Sequence, residues 1–231
     1  TLLGQVMHIT FDIETIGTED AEVISEIAAG ITPPKTMSKP ETIAKWEADD
    51  KPGLIEEAVK KTAFDGGLGR IVCIGWVIDS GEPQCVYMGQ EPILLDAFFA
   101  AVIHATTIHY HGGKTEHAPV FVGHNISGFD LRFLWQRSVV HKIKPPASIP
   151  FHAKPWDKTL NDTMVMWNPE REKKISLDRL CKLLGIESPK GELDGSKVWE
   201  YVKAGRIAEV ADYCKRDVTA IRECHKRMMF L

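Results

Sequence analysis

Residues 6–15, with the sequence VMHITFDIET, alternate between apolar and polar side chains. Successive side chains of a strand point to opposite faces, so this period of two predicts a β-strand. The apolar face consists of Met7, Ile9, Phe11 and Ile13. The polar face consists of His8, Thr10, Asp12 and Glu14. The apolar face must be covered by other elements, which limits the chain to folds built around a sheet.

The remaining patterns predict helices packed around this sheet. Strand patterns dominate the first half of the chain and helical patterns the second half, with strand–helix units between them. We therefore predict an α/β fold in which a mixed β-sheet is flanked by helices. At 231 residues the chain fits one domain, 1–231. The proline- and glycine-containing stretch at about 33–69 predicts a helical insertion with short helices at about 40–48 and 53–62.

Periodicity also places the other elements along the chain. Further strands are predicted at 71–79, 84–89, 119–123 and about 161–167. Helices are predicted at 92–105, 128–140, 177–184, 196–203 and 207–228.

Composition and charge exclude some classes of protein. With 44% hydrophobic and 26% charged residues, the chain has the profile of a soluble globular protein. No apolar run approaches the roughly 18–20 residues that cross a bilayer, and the first residues lack the pattern of a signal peptide, so no membrane partner is expected. A net charge of −4 argues against tight, non-specific duplex binding through a basic surface.

The five cysteines are odd in number, scattered, and without CxxC spacing. They are Cys73, Cys85, Cys181, Cys214 and Cys224. Each lies among apolar residues, which predicts buried free thiols in a reducing compartment and hence a cytoplasmic protein. Their spacing does not indicate a thiolate-rich zinc site.

Three acidic motifs carry the chemistry, and the first is Asp12-Ile13-Glu14. Two residues apart on a strand, the carboxylates of Asp12 and Glu14 project to the same side. Their repulsion is relieved by a divalent cation, which predicts a metal site. The alternative is an exposed edge strand with an ordinary polar face.

The second motif runs from Asn125 to Asp130, where a predicted strand ends and a helix begins. A carboxylate at this helix start can project at a metal beyond the end of the sheet. The alternative is a capping box, because Ser127 and Asp130 have its spacing.

The third motif pairs Tyr213 with Asp217, which lie one helical turn apart on a single face. Periodicity gives Asp217 a position normally reserved for a buried residue. A buried acid needs a compensating charge, either a metal ion or, as the alternative, a Lys or Arg partner.

Together, in this order, the three motifs resemble those of the DEDD superfamily of 3′–5′ exonucleases, and specifically its tyrosine branch. The sister branch has a histidine five residues before the last acid, where this chain has Asp212. The segment GHNISGFDLRFLWQR is similar to the second exonuclease motif of family B DNA polymerases. The run LDGSKVW, residues 193–199, is similar to free-standing predicted exonucleases related to that polymerase domain. The resemblance covers most of residues 6–226 and implies an RNase H-like fold.

The resemblance also implies an activity and a cofactor. The activity is hydrolysis of phosphodiester bonds from the 3′ end of single-stranded nucleic acid, with DNA favoured over RNA. Two divalent cations, Mg²⁺ or Mn²⁺, are expected at four acids, with Tyr213 orienting the attacking water or helping to deprotonate it. The acids are Asp12, which contacts both ions, Glu14 and Asp217 at the first ion, and Asp130 at the second.

Substrate-binding roles are predicted for Asn125, Phe129 and Thr15, with core packing as the alternative for Phe129. Asp162 resembles an acid near the exonuclease cleft, or is an exposed acid at a strand edge. The histidines at 109, 111, 117 and 124 are too loosely spaced to favour zinc. Three functional alternatives stay open: an exoribonuclease, a non-catalytic nucleic-acid-binding module, and a protein whose acids are coincidental.

Overall fold

The computed structural model of the chain describes residues 6–111, 118–154, 156–169 and 174–231, without the side chains of residues 108–111. Within them, five strands form a mixed sheet in the order β3-β2-β1-β4-β5. The strands are β1 (His8–Ile16), β2 (Arg70–Ile78), β3 (Gln84–Val86), β4 (Val120–Gly123) and β5 (Leu160–Asp162). β1 pairs antiparallel with β2 and parallel with β4, the β2–β3 pair is antiparallel, and the β4–β5 pair is parallel.

Helices cover both faces of this sheet, as predicted. In chain order they are α1 (Ala21–Gly30), α2 (Pro40–Asp49), α3 (Lys51–Lys61), α4 (Glu91–His111), α5 (Asp130–Val140), α6 (Thr163–Trp167), α7 (Leu177–Leu184), α8 (Val198–Lys203) and α9 (Ile207–Met228). Helices α4 and α5 pack on one face, and α9 with α7 and α8 packs on the other. None of the helices in the described residues is long and apolar enough to span a bilayer.

The alternation along β1 is confirmed, and it separates the two layers. Ile9 and Phe11 are fully buried in the core that contains Phe98 of α4 and Phe133 of α5. The polar face of β1 lies beneath α9, which packs against β1, β2 and β4. Because β1 lies in the centre of the sheet, Thr10 and Glu14 on that face are buried, whereas His8 and Asp12 are half-buried.

The connection between β1 and β2 is helical. Helices α2 and α3 match the predicted pair, and a 3-10 turn at Thr62–Phe64 follows them. Helix α1 was not predicted; it begins at its N-cap Asp20, whose carboxylate accepts hydrogen bonds from the N–H groups of Glu22 and Val23. The assignment of 1–231 to one domain with an insertion at about 33–69 stays a prediction.

Some predicted boundaries are wrong for local reasons. The strand expected at about 161–167 ends at Asp162, because the Asp162 carboxylate accepts the N–H groups of Met164 and Val165 and so starts α6. The helix expected at 128–140 begins at Asp130. The region 196–203 begins as a 3-10 turn capped by Asp194 before α8 starts. The bounds predicted for α7 and α9 are confirmed.

Candidate active site

Four acidic side chains meet where β1 passes beneath α9. Asp12 and Glu14 project from β1, and each has a carboxylate oxygen within 4.8 Å of one from Asp217 of α9. Asp130, the first residue of α5, accepts a 3.2 Å hydrogen bond from the backbone N–H of Ile13. The structure therefore brings together the four acids predicted from three separate motifs.

Close packing of α9 on the sheet places Asp217 at this point. Gly75 of β2 lies opposite Asp12 in the strand register. A Cβ atom added to Gly75 would lie 2.7 Å from Sγ of Cys214 and 3.1 Å from Cγ2 of Val218. Any other residue at this position would push the helix away, so Gly75 lets α9 approach the strands closely. The adjacent register shift at Glu14 is a β-bulge, a feature that re-aims side chains near sites.

The acids are crowded, and all but the half-buried Asp12 are shielded from water. Glu14, Asp130 and Asp217 are 8%, 3% and 6% exposed. Burial, and then repulsion from Asp130 and Asp217, raises the pKa of Asp12 well above its ordinary value. Burial, and then repulsion from Asp217 and Asp130, also raises the pKa of Glu14 well above its ordinary value. Burial raises the pKa of Asp130 and of Asp217 to about 7. The folded chain therefore disfavours ionisation of all four groups.

The donor set fits hard divalent cations. Across the described part of the chain, no Lys, Arg or His nitrogen lies within 4.0 Å of any of the four carboxylates. All four offer oxygen, the ligand that Mg²⁺ and Mn²⁺ prefer. Asp12, Glu14 and Asp217 are close enough together to bind one ion. A cation at this point offsets both the repulsion and the burial.

The alternative explanations of the motifs are wrong. β1 is a central strand rather than an exposed edge. Asp217 has no Lys or Arg partner among the described residues within ion-pair distance. Ser127 does not cap α5, whose N-cap is Phe129 without a side-chain bond; its hydroxyl donates to Asp162 over 2.6 Å instead.

Tyr213 lies beside these acids, one helical turn before Asp217. It is 7% exposed, and its hydroxyl lies near enough to the Asp217 carboxylate for the two groups to shift each other's pKa. Burial, and then the charges of Asp217 and Glu14, raises the pKa of the Tyr213 hydroxyl. The phenol is therefore protonated at neutral pH and available as a hydrogen-bond donor.

Comparisons with known proteins agree with this geometry. Residues 104–229 match the family model described as a predicted 3′–5′ exonuclease related to the exonuclease domain of PolB. The match covers more than half of the chain. The chain belongs to this family. Asp130, Tyr213 and Asp217 lie inside the matched residues, whereas Asp12 and Glu14 precede them.

A solved structure supports the fold. The chain resembles the family B DNA polymerase from the hyperthermophilic archaeon Pyrobaculum calidifontis, with a TM-score of 0.58 and 16% sequence identity. The similarity covers 98% of this chain and 25% of the polymerase chain. The mixed five-stranded sheet flanked by helices is an RNase H-like α/β fold, as predicted. Curated proteins give no match.

In this exonuclease-family member, Asp162 supports the loop that precedes Asp130. It is 1% exposed, so the interpretation as an exposed edge acid is wrong. Its carboxylate accepts the backbone N–H groups of Asn125 at 2.9 Å and Ser127 at 3.1 Å. Asn125 adopts a left-handed backbone with φ of 62°, a conformation that Asn tolerates better than most residues. Asp162 therefore fixes the turn that delivers Asp130.

An aromatic pair lies near the acids. Phe129 is half-buried and packs on Phe133, with ring centroids 5.4 Å apart, which confirms its role in packing. Its other neighbour is Phe64, 68% exposed, at a centroid distance of 6.3 Å. Phe64 was not predicted from the sequence. The feature that could have identified it is an aromatic residue just before the glycines that end the insertion.

Thr15 connects the insertion to β1. Its hydroxyl donates to the carbonyl of Ala63 over 2.8 Å, so this group is already engaged. Thr15 and Phe64 line a cavity of about 280 Å³ together with Lys60, Lys61 and Trp199. Substrate binding by Thr15, Asn125 and Phe129 stays a prediction.

The histidines of the loose cluster have separate outcomes. The ring nitrogens of His124 lie 2.9 Å from the Thr163 hydroxyl and 2.9 Å from the Ile175 carbonyl, which is a structural role. The side chains of His109 and His111, and all of His117, lie outside the described residues.

Proposed function

We propose that this chain is a 3′–5′ exonuclease that removes nucleotides from the 3′ end of single-stranded DNA with two divalent cations. One observation carries the proposal: four carboxylates from β1, α5 and α9 crowd together, and among the described residues no Lys, Arg or His nitrogen lies within ion-pair distance of them. The family match supports the reaction class and polarity. The resemblance to a DNA polymerase favours DNA over RNA as the substrate.

The four acids divide between two ion positions. Asp12, Glu14 and Asp217, whose oxygens lie within 4.8 Å of one another, would hold the first ion. Asp130, together with Asp12, would hold the second. When bound, Mg²⁺ or Mn²⁺ supplies Lewis-acid polarisation of a phosphoryl oxygen and lowers the pKa of a coordinated water.

Tyr213 positions the attacking water. Its protonated hydroxyl donates a hydrogen bond, so it orients an oxygen nucleophile rather than removing a proton from it. Its contact with Asp217 fixes the phenol ring beside the carboxylates. Burial of Glu14, Asp130, Tyr213 and Asp217 limits the access of bulk water to the site.

The 3′ end of the DNA strand reaches the acids by passing over the aromatic pair of Phe64 and Phe129. Phe64 presents an exposed face on which an unpaired base can stack, and Phe129 supports it from below. Lys61 lines the adjacent cavity and attracts backbone phosphates, whereas Lys60 in the same lining is already paired with Glu200 and Glu56.

End-labelled oligonucleotides test the proposal. With Mn²⁺ or Mg²⁺, a 5′-labelled single strand of DNA should give a ladder that shortens with time, and a 3′-labelled one should release labelled mononucleotide at once. Asp12→Asn should abolish both, whereas Asp96→Asn, an exposed acid on α4, should leave them unchanged. Products that shorten from the 5′ end would refute the polarity, and RNA degraded faster than DNA would refute the substrate.

Thermal unfolding tests the ions separately from the reaction. Mn²⁺ at a hundredfold excess over its Kd stabilises a protein that binds it only when folded by about 2.7 kcal/mol. For a chain of this length that corresponds to an increase in Tm of roughly 5–10 °C. Asp217→Asn should lose most of this increase and Asp96→Asn none of it. Equal increases in both variants would place the ions elsewhere.

A further inference from the structure

Three cysteines from different elements converge beneath α9. Cys73 of β2, Cys85 of β3 and Cys214 of α9 have sulfur atoms within 4.8 Å of one another. Cys85 lies opposite Gly75 in the register of the β2–β3 pair, so Cys73 is its diagonal neighbour on the same face of the sheet. Cys214 approaches from the helix above Gly75. The three thiols thus form a triangle between sheet and helix.

The spacing suits coordination of one ion. Zinc–thiolate bonds are about 2.3 Å long, which puts the sulfurs of a tetrahedral site about 3.8 Å apart. Sulfurs already within 4.8 Å reach that spacing through side-chain adjustments of about 1 Å or less. The space for Cys214 depends on Gly75, since a Cβ there would lie 2.7 Å from the Cys214 sulfur.

The triangle is closed on the core side and open at the sheet edge. Cys73 and Cys214 are fully buried, whereas Cys85 is half-buried on the three-residue edge strand β3. Asp212 and Lys215 form a 2.7 Å ion pair on α9, and both act electrostatically on Cys85. An ion can therefore reach the triangle past the half-buried Cys85, with water as its fourth ligand.

We propose that Cys73, Cys85 and Cys214 form a binding site for a thiophilic divalent cation, Zn²⁺, separate from the carboxylates. The two sites adjoin, because the Cys214 sulfur lies 3.6 Å from the carbonyl oxygen of Asp12 and 3.8 Å from its Oδ2. Ligand softness separates them, since thiolates select Zn²⁺ and carboxylates select Mg²⁺ or Mn²⁺. The proposal does not depend on exonuclease activity.

Cobalt absorption and zinc competition test the site in the reduced full chain. Co²⁺ should produce a thiolate-to-metal charge-transfer band that one equivalent of Zn²⁺ removes, in the presence of excess Mg²⁺. Cys85→Ser should lose the band and weaken Zn²⁺ binding at least tenfold. The matched control is Cys181→Ser, which alters the separate buried pair of Cys181 and Cys224, 3.6 Å apart, and should leave both measurements unchanged.

Two further measurements test the cysteine site without relying on the Cys85→Ser variant. Asp12→Asn should keep the cobalt band while losing stabilisation by Mn²⁺. Zn²⁺ should protect Cys85 of the unmutated protein from alkylation, which mass spectrometry detects without any substitution. A cobalt band that survives Cys85→Ser, a band lost in Asp12→Asn, or alkylation of Cys85 that is unaffected by Zn²⁺ would each overturn the proposal; three thiols packed as small apolar groups would behave in this last way.

Discussion

Asp130 and Ile13, 117 positions apart in the chain, are joined by a 3.2 Å hydrogen bond from the backbone N–H of Ile13 to the Asp130 carboxylate. This bond fastens the start of α5 to the central strand between the two acids of the first motif. Asp130 therefore combines two roles that substitutions can separate. It is a hydrogen-bond acceptor for buried backbone, and it is one of four mutually repelling charges.

Replacement by Asn and by Ala should separate these roles. Asp130→Asn retains an oxygen acceptor and removes a charge, so in EDTA its free energy of unfolding should equal or exceed that of the unmutated protein. Asp130→Ala leaves the Ile13 N–H without its partner and should lose about 1–3 kcal/mol. Both should lose exonuclease activity. Urea unfolding of the two variants measures the difference, and equal destabilisation by Asn and Ala would contradict this assignment.

Tyr213→Phe should separate positioning of water from metal binding. It removes only the hydroxyl that contacts Asp217, so the four carboxylates keep their places. We expect nuclease activity to fall by roughly 10- to 100-fold, the scale of a lost positioning group. The increase in Tm with Mn²⁺ should remain. A loss of that increase would show that Tyr213 is needed to build the metal site itself.

Local patterns predicted much of the candidate site. The period of two along β1 put Asp12 and Glu14 on one face, and the period of 3.6 along α9 put Tyr213 and Asp217 on another. Each of these relations joins residues that are neighbours along a single strand or helix, so it can be predicted from one sequence. The resemblance to known exonuclease motifs then indicated that the three motifs belong to one site, which periodicity alone does not indicate.

Contacts between distant elements could not be predicted in the same way. Cys73, Cys85 and Cys214 looked like unrelated buried thiols, and only the pairing of β2 with β3 under α9 brings them together. Asp162 could be read from the sequence either as an acid near the cleft or as an exposed edge acid, because its partners, Asn125 and Ser127, are 37 and 35 positions away. The Asp162 carboxylate also caps α6, so the residues after Asp162 form a helix where a strand was predicted.

Phe64→Ala should weaken substrate binding without unfolding the protein. Stacking of one base on an aromatic side chain contributes about 1–3 kcal/mol, so KM for a single-stranded oligonucleotide should rise roughly tenfold. Stability should change little, because Phe64 is 68% exposed. The matched control is Phe230→Ala, which removes an aromatic side chain that is 96% exposed beyond the end of α9. Equal KM values for the two variants would remove Phe64 from the substrate path.

His225 lies toward the opposite end of α9 from Tyr213, and it should make the stability of the fold depend on pH. It is 3% exposed, its Nε2 lies 2.8 Å from the Asn161 amide nitrogen, and its ring lies 5.1 Å from that of His8. Burial, and then the charge of His8, lowers the pKa of His225 to about 4 from an ordinary value of 6.5. The neutral ring is thus the form that the fold accepts.

A lowered histidine pKa has a definite sign. Its contribution to stability is complete above pH 6.5 and is lost as the pH falls toward 4, because protonation favours the unfolded chain. Each pKa unit corresponds to about 1.4 kcal/mol, so about 2 kcal/mol should be lost by pH 5. His225→Gln retains an acceptor for Asn161, so its free energy of unfolding, measured relative to that of the unmutated protein, should rise by about 2 kcal/mol between pH 7.5 and 5. This difference cancels the opposite trend of the four acids with raised pKa, which both proteins share. His104→Gln, on the exposed surface of α4, should keep the original slope. Parallel urea-unfolding curves for the two variants across this range would show that His225 is protonated as readily in the folded protein as in the unfolded chain.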